Sequence, residues 1–334
     1  MARVSIVGLG LIGGSIGLAL RQWMTTPDGR KNSFELIGYD KDGEKANMAA
    51  RMGVVATVSR DFGGAVRNAD MVIICTPALA VREVLTALAP VVSSGAVVTD
   101  TTSTKQQVLQ WADELLPNNI HFVGGHPMAG GTGGLGDARN NLFTGATYAI
   151  CPSMRASETA IEQVIMLVRM VGASPLFIDP LEHDAAVAAV SHMPFTLAAT
   201  LAKVTMDSDG WSEMGKLAAT AYREMTRLAE GDPIMHRDIL LSNKQAVVSW
   251  LDRYVALLFD MRELIKSADP NNPNSEAAKR IEQFFTAARD EREKWLNERS
   301  GGNRALESEL QNINMGNVLS RGILGGFGRK PQGK

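Results

Sequence analysis

The chain has 334 residues, 34 basic and 36 acidic side chains for a formal net charge of -2, and a 45% share of hydrophobic residues. That balance excludes extensive disorder and lacks the basic excess of a general nucleic-acid binder, and the length suits two domains. No apolar stretch reaches the roughly 18 residues of a membrane helix, the start MARVSIVGLGLIGGS has no signal-peptide pattern, and two cysteines, Cys75 and Cys151, make neither a disulfide framework nor a zinc site, so a cytoplasmic protein with buried thiols is expected.

The first half alternates β-branched runs with helical spacing. Val4 to Gly8 predicts a strand, Leu11 to Trp23 a helix, Phe34 to Tyr39 a strand, Gly43 to Met52 a helix and Val54 to Val58 a short strand. Met71 to Thr76 (MVIICT) is continuously apolar, as in a strand buried on both faces. Ala78 to Leu88 reads as a helix, Ala96 to Asp100 as a strand and Lys105 to Leu115 as a helix. Phe122, Val123 and Ala146 to Ile150 add strand pieces, followed by a helix over Met154 to Val171 and a last strand over Ser174 to Ile178. Repeated βα units predict a parallel sheet covered by helices, an α/β dinucleotide-binding domain of the Rossmann type over 1–179. From Pro180 strand signals vanish. Helices are expected over Ala185 to Met206, Trp211 to Ala229, Pro233 to Lys266 and Glu276 to Arg299, an all-α domain over 180–299, and then a flexible tail over 300–334.

The segment GLGLIGG sets Gly8, Gly10 and Gly13 in a G-x-G-x-x-G pattern between the first strand and the first helix. In that context the glycines permit a tight turn, close approach of a diphosphate and close helix–strand packing, with the diphosphate at the helix N-terminus. Gly8, Gly10, Leu11, Ile12 and Gly13 are therefore the expected diphosphate site. Asp40 ends the second strand, where a carboxylate accepts from the ribose hydroxyls and repels a 2′-phosphate, which favours NAD over NADP. The polar insert Thr25 to Ser33 accounts for its extra distance from the glycines, and Lys41 and Arg51 lie near enough to soften the preference. Thr76 and Pro77 end the MVIICTP strand at the expected switch point, where the cofactor passes.

Two later segments carry chemistry: TDTTSTK (Thr99 to Lys105) and GGHPMAGG (Gly124 to Gly131). His126 is expected just beyond a strand end, in an open cleft, where a neutral imidazole takes a proton from an alcohol as hydride leaves. A loop histidine without a role is the alternative. Ser103 is expected to begin a helix and either position that imidazole or the substrate hydroxyl, or serve as a plain N-cap. No histidine, cysteine and carboxylate cluster has metal spacing, so no metal is expected.

GLGLIGGS, VIICTP, TDTTSTK, HPMAGG, SHMP (Ser191 to Pro194) and MTRLAEGDPIMHRDILLSNK (Met225 to Lys244) occur in this order and closely resemble the prephenate/arogenate dehydrogenase family over roughly residues 1 to 300. The resemblance implies NAD-dependent oxidation of a cyclohexadienyl C4 hydroxyl with loss of the ring carboxylate as CO2, a small-molecule substrate, and a homodimer formed through the helical domain. It implies His126 as the catalytic hydrogen-bond acceptor, Ser103 as its assistant and Arg227 as the grip on a substrate carboxylate, a task that suits a bidentate guanidinium. Arg237 is a weaker candidate, and His192 serves either substrate contact or packing. Glu224 is placed to hold Arg227 by an i, i+3 pair. Asp232 and Pro233 are read as N-cap and N1 of the next helix, and His183 and Asp184 as helix-start or interdomain residues. Three departures stand out. Phe195 replaces a second histidine common in S-H-L-P-H, which leaves room for arogenate. GGTGGLGD follows HPMAG, so the loop over the site is expected to close differently. His236 stands where tryptophan is common. The alternatives are an arogenate or dual dehydrogenase, a β-hydroxyacid dehydrogenase using Lys244 beside Asn243, and a non-catalytic nucleotide-sensing regulator.

Overall fold

A computed structural model describes residues 2–131 and 133–312. Eight strands form one sheet: β1 (Arg3–Val7), β2 (Glu35–Tyr39), β3 (Thr57–Val58), β4 (Met71–Ile74), β5 (Val97–Asp100), β6 (His121–Pro127), β7 (Thr147–Pro152) and β8 (Ser174–Phe177). Their order is β3-β2-β1-β4-β5-β6-β7-β8. All neighbours pair parallel except β6 and β7, where Gly125 faces Ile150 and His126 faces Ala149 in antiparallel register. The sheet is thus mostly parallel, with its last two strands reversed.

Helices cover both faces. They are α1 (Leu11–Trp23), α2 (Pro27–Lys31), α3 (Gly43–Arg51), α4 (Phe62–Val66), α5 (Val81–Leu88), α6 (Gln106–Leu115) and α7 (Glu158–Met170). Strand alternation divides the core: Val4, Ile6, Met71 and Ile73 pack with α1 and α7 residues on one face. Val7, Val72, Ile74 and Val98 pack with α5 and α6 residues on the other. Burial on both faces explains the unbroken apolar run of β4. The polar insert after α1 is not a bare loop, because Thr26 caps α2 by accepting from the Gly29 N–H.

β8 is followed by α8 (Pro180–Val187), a π-turn (Ala188–His192), α9 (Met193–Met206), α10 (Trp211–Leu217), α11 (Thr220–Thr226), a 3-10 turn (Arg227–Glu230), α12 (Pro233–Ser242), α13 (Lys244–Ser267) and α14 (Glu276–Asn312). Asp179 caps α8 with Pro180 in its first turn, and Asp232 caps α12 with Pro233 likewise. The break before α9 has a local cause. Pro194 has no N–H to donate to Val190, and its ring crowds that carbonyl, so the chain widens into the π-turn.

Pro180–Met206 runs helical for 27 residues, with a mean hydropathy of 1.5 over its most apolar window, long and apolar enough to cross a membrane. This corrects the expectation that no such stretch exists. Its His183, Asp184 and His192 are nevertheless buried in hydrogen bonds to the rest of the protein. By spatial packing, one compact unit runs to Val247 and a second starts at Val248. Within the second unit α14 continues to Asn312, past the point where a tail was expected to begin, and the remainder of that segment, 313–334, lies outside the described residues.

Candidate active site

The parallel strands bring the ends of β1, β4, β5 and β6 to one edge of the sheet. At β1, Gly8 has φ +96°, a left-handed conformation that a side chain rarely adopts, and an added Cβ would stand 2.7 Å from the Cys75 carbonyl oxygen. A Cβ on Gly13 would stand 2.0 Å from the Gly8 carbonyl oxygen, so α1 can approach the turn only with glycine there. Gly10 has open space where its Cβ would lie, and no side chain caps α1. The first-turn N–H groups at Leu11, Ile12 and Gly13 therefore start a helix that, among the described residues, no side chain caps. Asp40 accepts from the Leu9 N–H (2.7 Å) and the Asp42 N–H (2.9 Å), which fixes its carboxylate beside the glycine turn. Thr76 and Pro77 follow β4, next to the turn, and the Thr76 hydroxyl is buried without a partner.

The segment that ends β5 is held by a buried ion pair. Lys105, fully buried, pairs with the equally buried Asp100 and donates to the Gly125 carbonyl at 2.6 Å. Asp100 also accepts from the Gly125 and Thr102 N–H groups. The pair is satisfied by hydrogen bonds on both sides, as a buried pair must be, and it locks the turn 101–105 to β6 one residue before His126. Ser103 lies half-buried in that turn, three residues before α6, and not at its cap as the sequence suggested.

His126 also differs from expectation. It lies inside β6 and is buried, rather than beyond the strand in an open cleft, because β6 continues to Pro127 to pair with β7. Its Nδ1 lies 2.9 Å from Nε2 of His183, with the rings edge to face at 73°. His183 in turn places Nδ1 2.8 Å from Asp184 Oδ1. Asp184 accepts from the Lys105 N–H (2.8 Å) and the Gln106 N–H (3.0 Å), so this carboxylate on α8 caps α6. The expectation of helix-start or interdomain residues at His183 and Asp184 did not specify this contact, because nothing in their spacing tells that α8 faces α6. Burial, and then His183, Lys105 and His192, hold the His126 pKa well below the usual imidazole value, so the ring is neutral at neutral pH.

His192 is fully buried, with Nδ1 3.2 Å from the Asn243 amide, which also donates to the Asp184 carbonyl at 2.7 Å. Its Nε2 has no partner, and burial lowers its pKa to about 4. Asn243 thus serves the network, while Lys244 points to solvent. Arg227 opens the 3-10 turn, which packs on α9, and is exposed. Among the described residues no ion pair holds it. The expected Glu224 pair is absent, because α11 ends at Thr226 and the chain turns before Arg227. Arg237 pairs with its neighbour Asp238 at 2.7 Å, a structural role. The segment after HPMAG folds back onto α1, where Leu135 is buried and the Arg139 N–H donates to Ser15 at 3.1 Å. Cys151 is buried and its thiol is pushed up to about 12 by burial, whereas Cys75 is only half-buried.

The site combines a glycine turn at a helix N-terminus with a neutral buried imidazole, and among the described residues Arg227 has no ion pair; these are groups suited to an alcohol oxidation with an anionic substrate. Comparison with known proteins agrees. Residues 17–176 match the family model described as prephenate dehydrogenase, nucleotide-binding domain, and residues 179–281 match prephenate dehydrogenase, dimerization domain. Prephenate dehydrogenase of Bacillus subtilis is 34% identical over 296 residues, 87% of this chain and 75% of that protein. A crystal structure of prephenate dehydrogenase from A. aeolicus, in complex with hydroxyphenyl propionate and NAD+, superposes with a TM-score of 0.76 at 26% identity, covering 87% of this chain and 98% of that one. Synechocystis arogenate dehydrogenase gives 0.68 at 27% identity, with 86% and 99% covered. The chain belongs to the prephenate dehydrogenase family.

Proposed function

We propose that this protein catalyses the NAD-dependent oxidative decarboxylation of prephenate to 4-hydroxyphenylpyruvate, a step of tyrosine biosynthesis. The observation that carries the reading is His126: a neutral, buried imidazole at the cofactor edge of the sheet, with one nitrogen engaged by His183 and the other left to meet a substrate hydroxyl. Gly8, Gly10, Leu11, Ile12, Gly13, Asp40, Thr76 and Pro77 hold NAD. The open Gly10 face, the uncapped α1 and the fixed Asp40 carboxylate fit a diphosphate and a ribose without a 2′-phosphate. When bound, the nicotinamide accepts the hydride from the substrate carbinol carbon.

The remaining work falls to side chains. His126 takes the hydroxyl proton, and Ser103, fixed by the Asp100–Lys105 turn, helps to orient the hydroxyl. Arg227 and His192 hold the substrate: Arg227 has no competing ion pair among the described residues, and His192 offers an unpartnered donor. The substrate loses CO2 as its ring becomes aromatic, so the reaction runs one way. We infer a homodimer through the helical part, supported by the match of 179–281 to a dimerization domain and by the exposed Val255, Leu257, Leu258 and Phe259 on α13. A cytoplasmic location accords with two free thiols.

Phe195 favours a second reading, arogenate or dual use, because the substrate-contact histidine implied by the family motif is missing there. One experiment tests both. The protein is incubated with prephenate or arogenate and NAD or NADP, and the reduced nicotinamide is followed by absorbance. Turnover is expected with prephenate and NAD, and failure of all four pairings would overturn the assignment.

A further inference from the structure

His126 has one nitrogen for substrate and one for the protein, and the protein side determines which is which. Asp184 Oδ1 accepts from the Lys105 N–H and lies 2.8 Å from His183 Nδ1, while Oδ2 accepts from the Gln106 N–H. A carboxylate in that position can only accept, so His183 carries its proton on Nδ1. With its proton on Nδ1, His183 presents the Nε2 lone pair, and the 2.9 Å contact runs from the His126 Nδ1–H into it. His126 is left with its lone pair on Nε2. Asp184, through His183, thereby makes His126 an acceptor toward substrate.

From this chain of contacts we propose that His183 is a second proton carrier: the substrate proton is stored as an imidazolium on His183 during turnover and then returned. The proposal rests on the substrate reading above. The substrate O–H bond breaks and a His126 Nε2–H bond forms. The His126 Nδ1–H bond breaks and a His183 Nε2–H bond forms. The electron pair left on oxygen becomes the C=O π bond as the carbinol carbon gives up its hydride in the oxidation proposed above. Loss of CO2 returns an electron pair to the ring, aromatises it and leaves a phenolate oxygen. That oxygen takes the proton back from His126 Nε2, and His126 Nδ1 recovers its own from His183. No proton is gained or lost overall, so the store needs no exit to solvent.

Burial supports a closed store, because His126 is 7% exposed, and His183 and Asp184 are 2% exposed each. Charge placement supports it too. An imidazolium at His126 faces the Lys105 ammonium and the His192 and His183 rings, with Asp100 already engaged by Lys105. At His183 the same charge lies against Asp184, whose other two contacts are the N–H groups at the α6 N-terminus.

The test uses the full chain with ¹⁵N-labelled histidine, which gives five residues to assign. His126 is expected as the Nδ1–H tautomer, and an Nε2–H tautomer would overturn the proposal. His183→Gln keeps an acceptor for His126 and a donor for Asp184 but cannot hold a proton. With prephenate and NAD its kcat is expected to fall on the order of 100-fold, with KM for both nearly unchanged. In mixed H2O and D2O, wild-type kcat is expected to curve with deuterium fraction as two protons move, and the variant to respond linearly. Full activity of His183→Gln, or a linear wild-type response, would overturn the relay. A wild type inactive on every substrate pairing would instead sink the substrate reading, and the tautomer measurement would still decide the hydrogen-bond direction.

Discussion

The rings of Phe195 and His236 lie parallel, 4.1 Å between centroids and 6° between planes. Phe195 sits one turn after His192 on α9, and His236 reaches it from α12. Glycine at 231 makes room, since a Cβ there would stand 2.5 Å from the His236 ring. Two positions that depart separately from the family pattern in sequence are therefore one contact in space, of a kind worth about 0.5–1.5 kcal/mol beyond burial. Burial lowers the His236 pKa, against the opposing Asp232, which keeps the imidazole neutral in the stack.

This contact is expected to bear on substrate choice. Phe195→His restores the imidazole of the motif next to His192. The ratio of kcat/KM for prephenate over arogenate is expected to rise, and an unchanged ratio would place selectivity elsewhere.

Removing the acceptor itself is expected to stop chemistry and spare binding. His126→Asn should lower kcat by roughly 10²- to 10⁴-fold, the usual worth of a positioned base, with NAD affinity in equilibrium titration nearly intact. Turnover that survives would remove His126 from the catalytic role.

Arg227→Ala should act on binding. Loss of a charge-assisted pair to a carboxylate, about 1.5–3 kcal/mol, predicts a KM for prephenate roughly 10- to 100-fold higher with kcat little changed. An unaltered KM would exclude Arg227 from the carboxylate site.

Acid should destabilise the protein through its buried histidines. Burial depresses the folded pKa of His192 from 6.5 to about 4. Between those values the unfolded chain binds a proton that the folded chain does not, so stability is present above 6.5 and falls as pH drops toward 4. His126, also lowered by burial, acts in the same direction. Urea midpoints measured across pH 4–7 should decline on acidification, more steeply in the wild type than in His192→Asn; equal slopes would show that His192 takes no part.

Cofactor choice provides a last check. Asp40→Asn keeps a partner for the Leu9 N–H but removes the charge that repels a 2′-phosphate. The NAD-to-NADP ratio of kcat/KM should drop at least several-fold, and a constant ratio would shift the preference to other residues.

Local patterns in the sequence determined most of the elements. Strand runs such as Val4 to Gly8, caps such as Asp232 with Pro233, and the glycine turn are read from neighbours a few residues apart, and they form from those neighbours. The roles proposed for His126, Ser103 and Arg227 come only through the motifs that contain them. Contacts between distant segments were not legible. Residues 126 and 183 lie 57 positions apart, and Asp184 caps a helix that begins 78 residues earlier. The reversal of β7, which draws His126 into a strand, likewise follows from pairing and not from local preference. A hydrogen bond depends on where two chain segments meet, and that is set by packing of the whole core. Neighbouring residues alone are enough to specify the glycine turn and the set of candidate groups. Which nitrogen of His126 faces the protein depends on how α8 packs against β6 and α6.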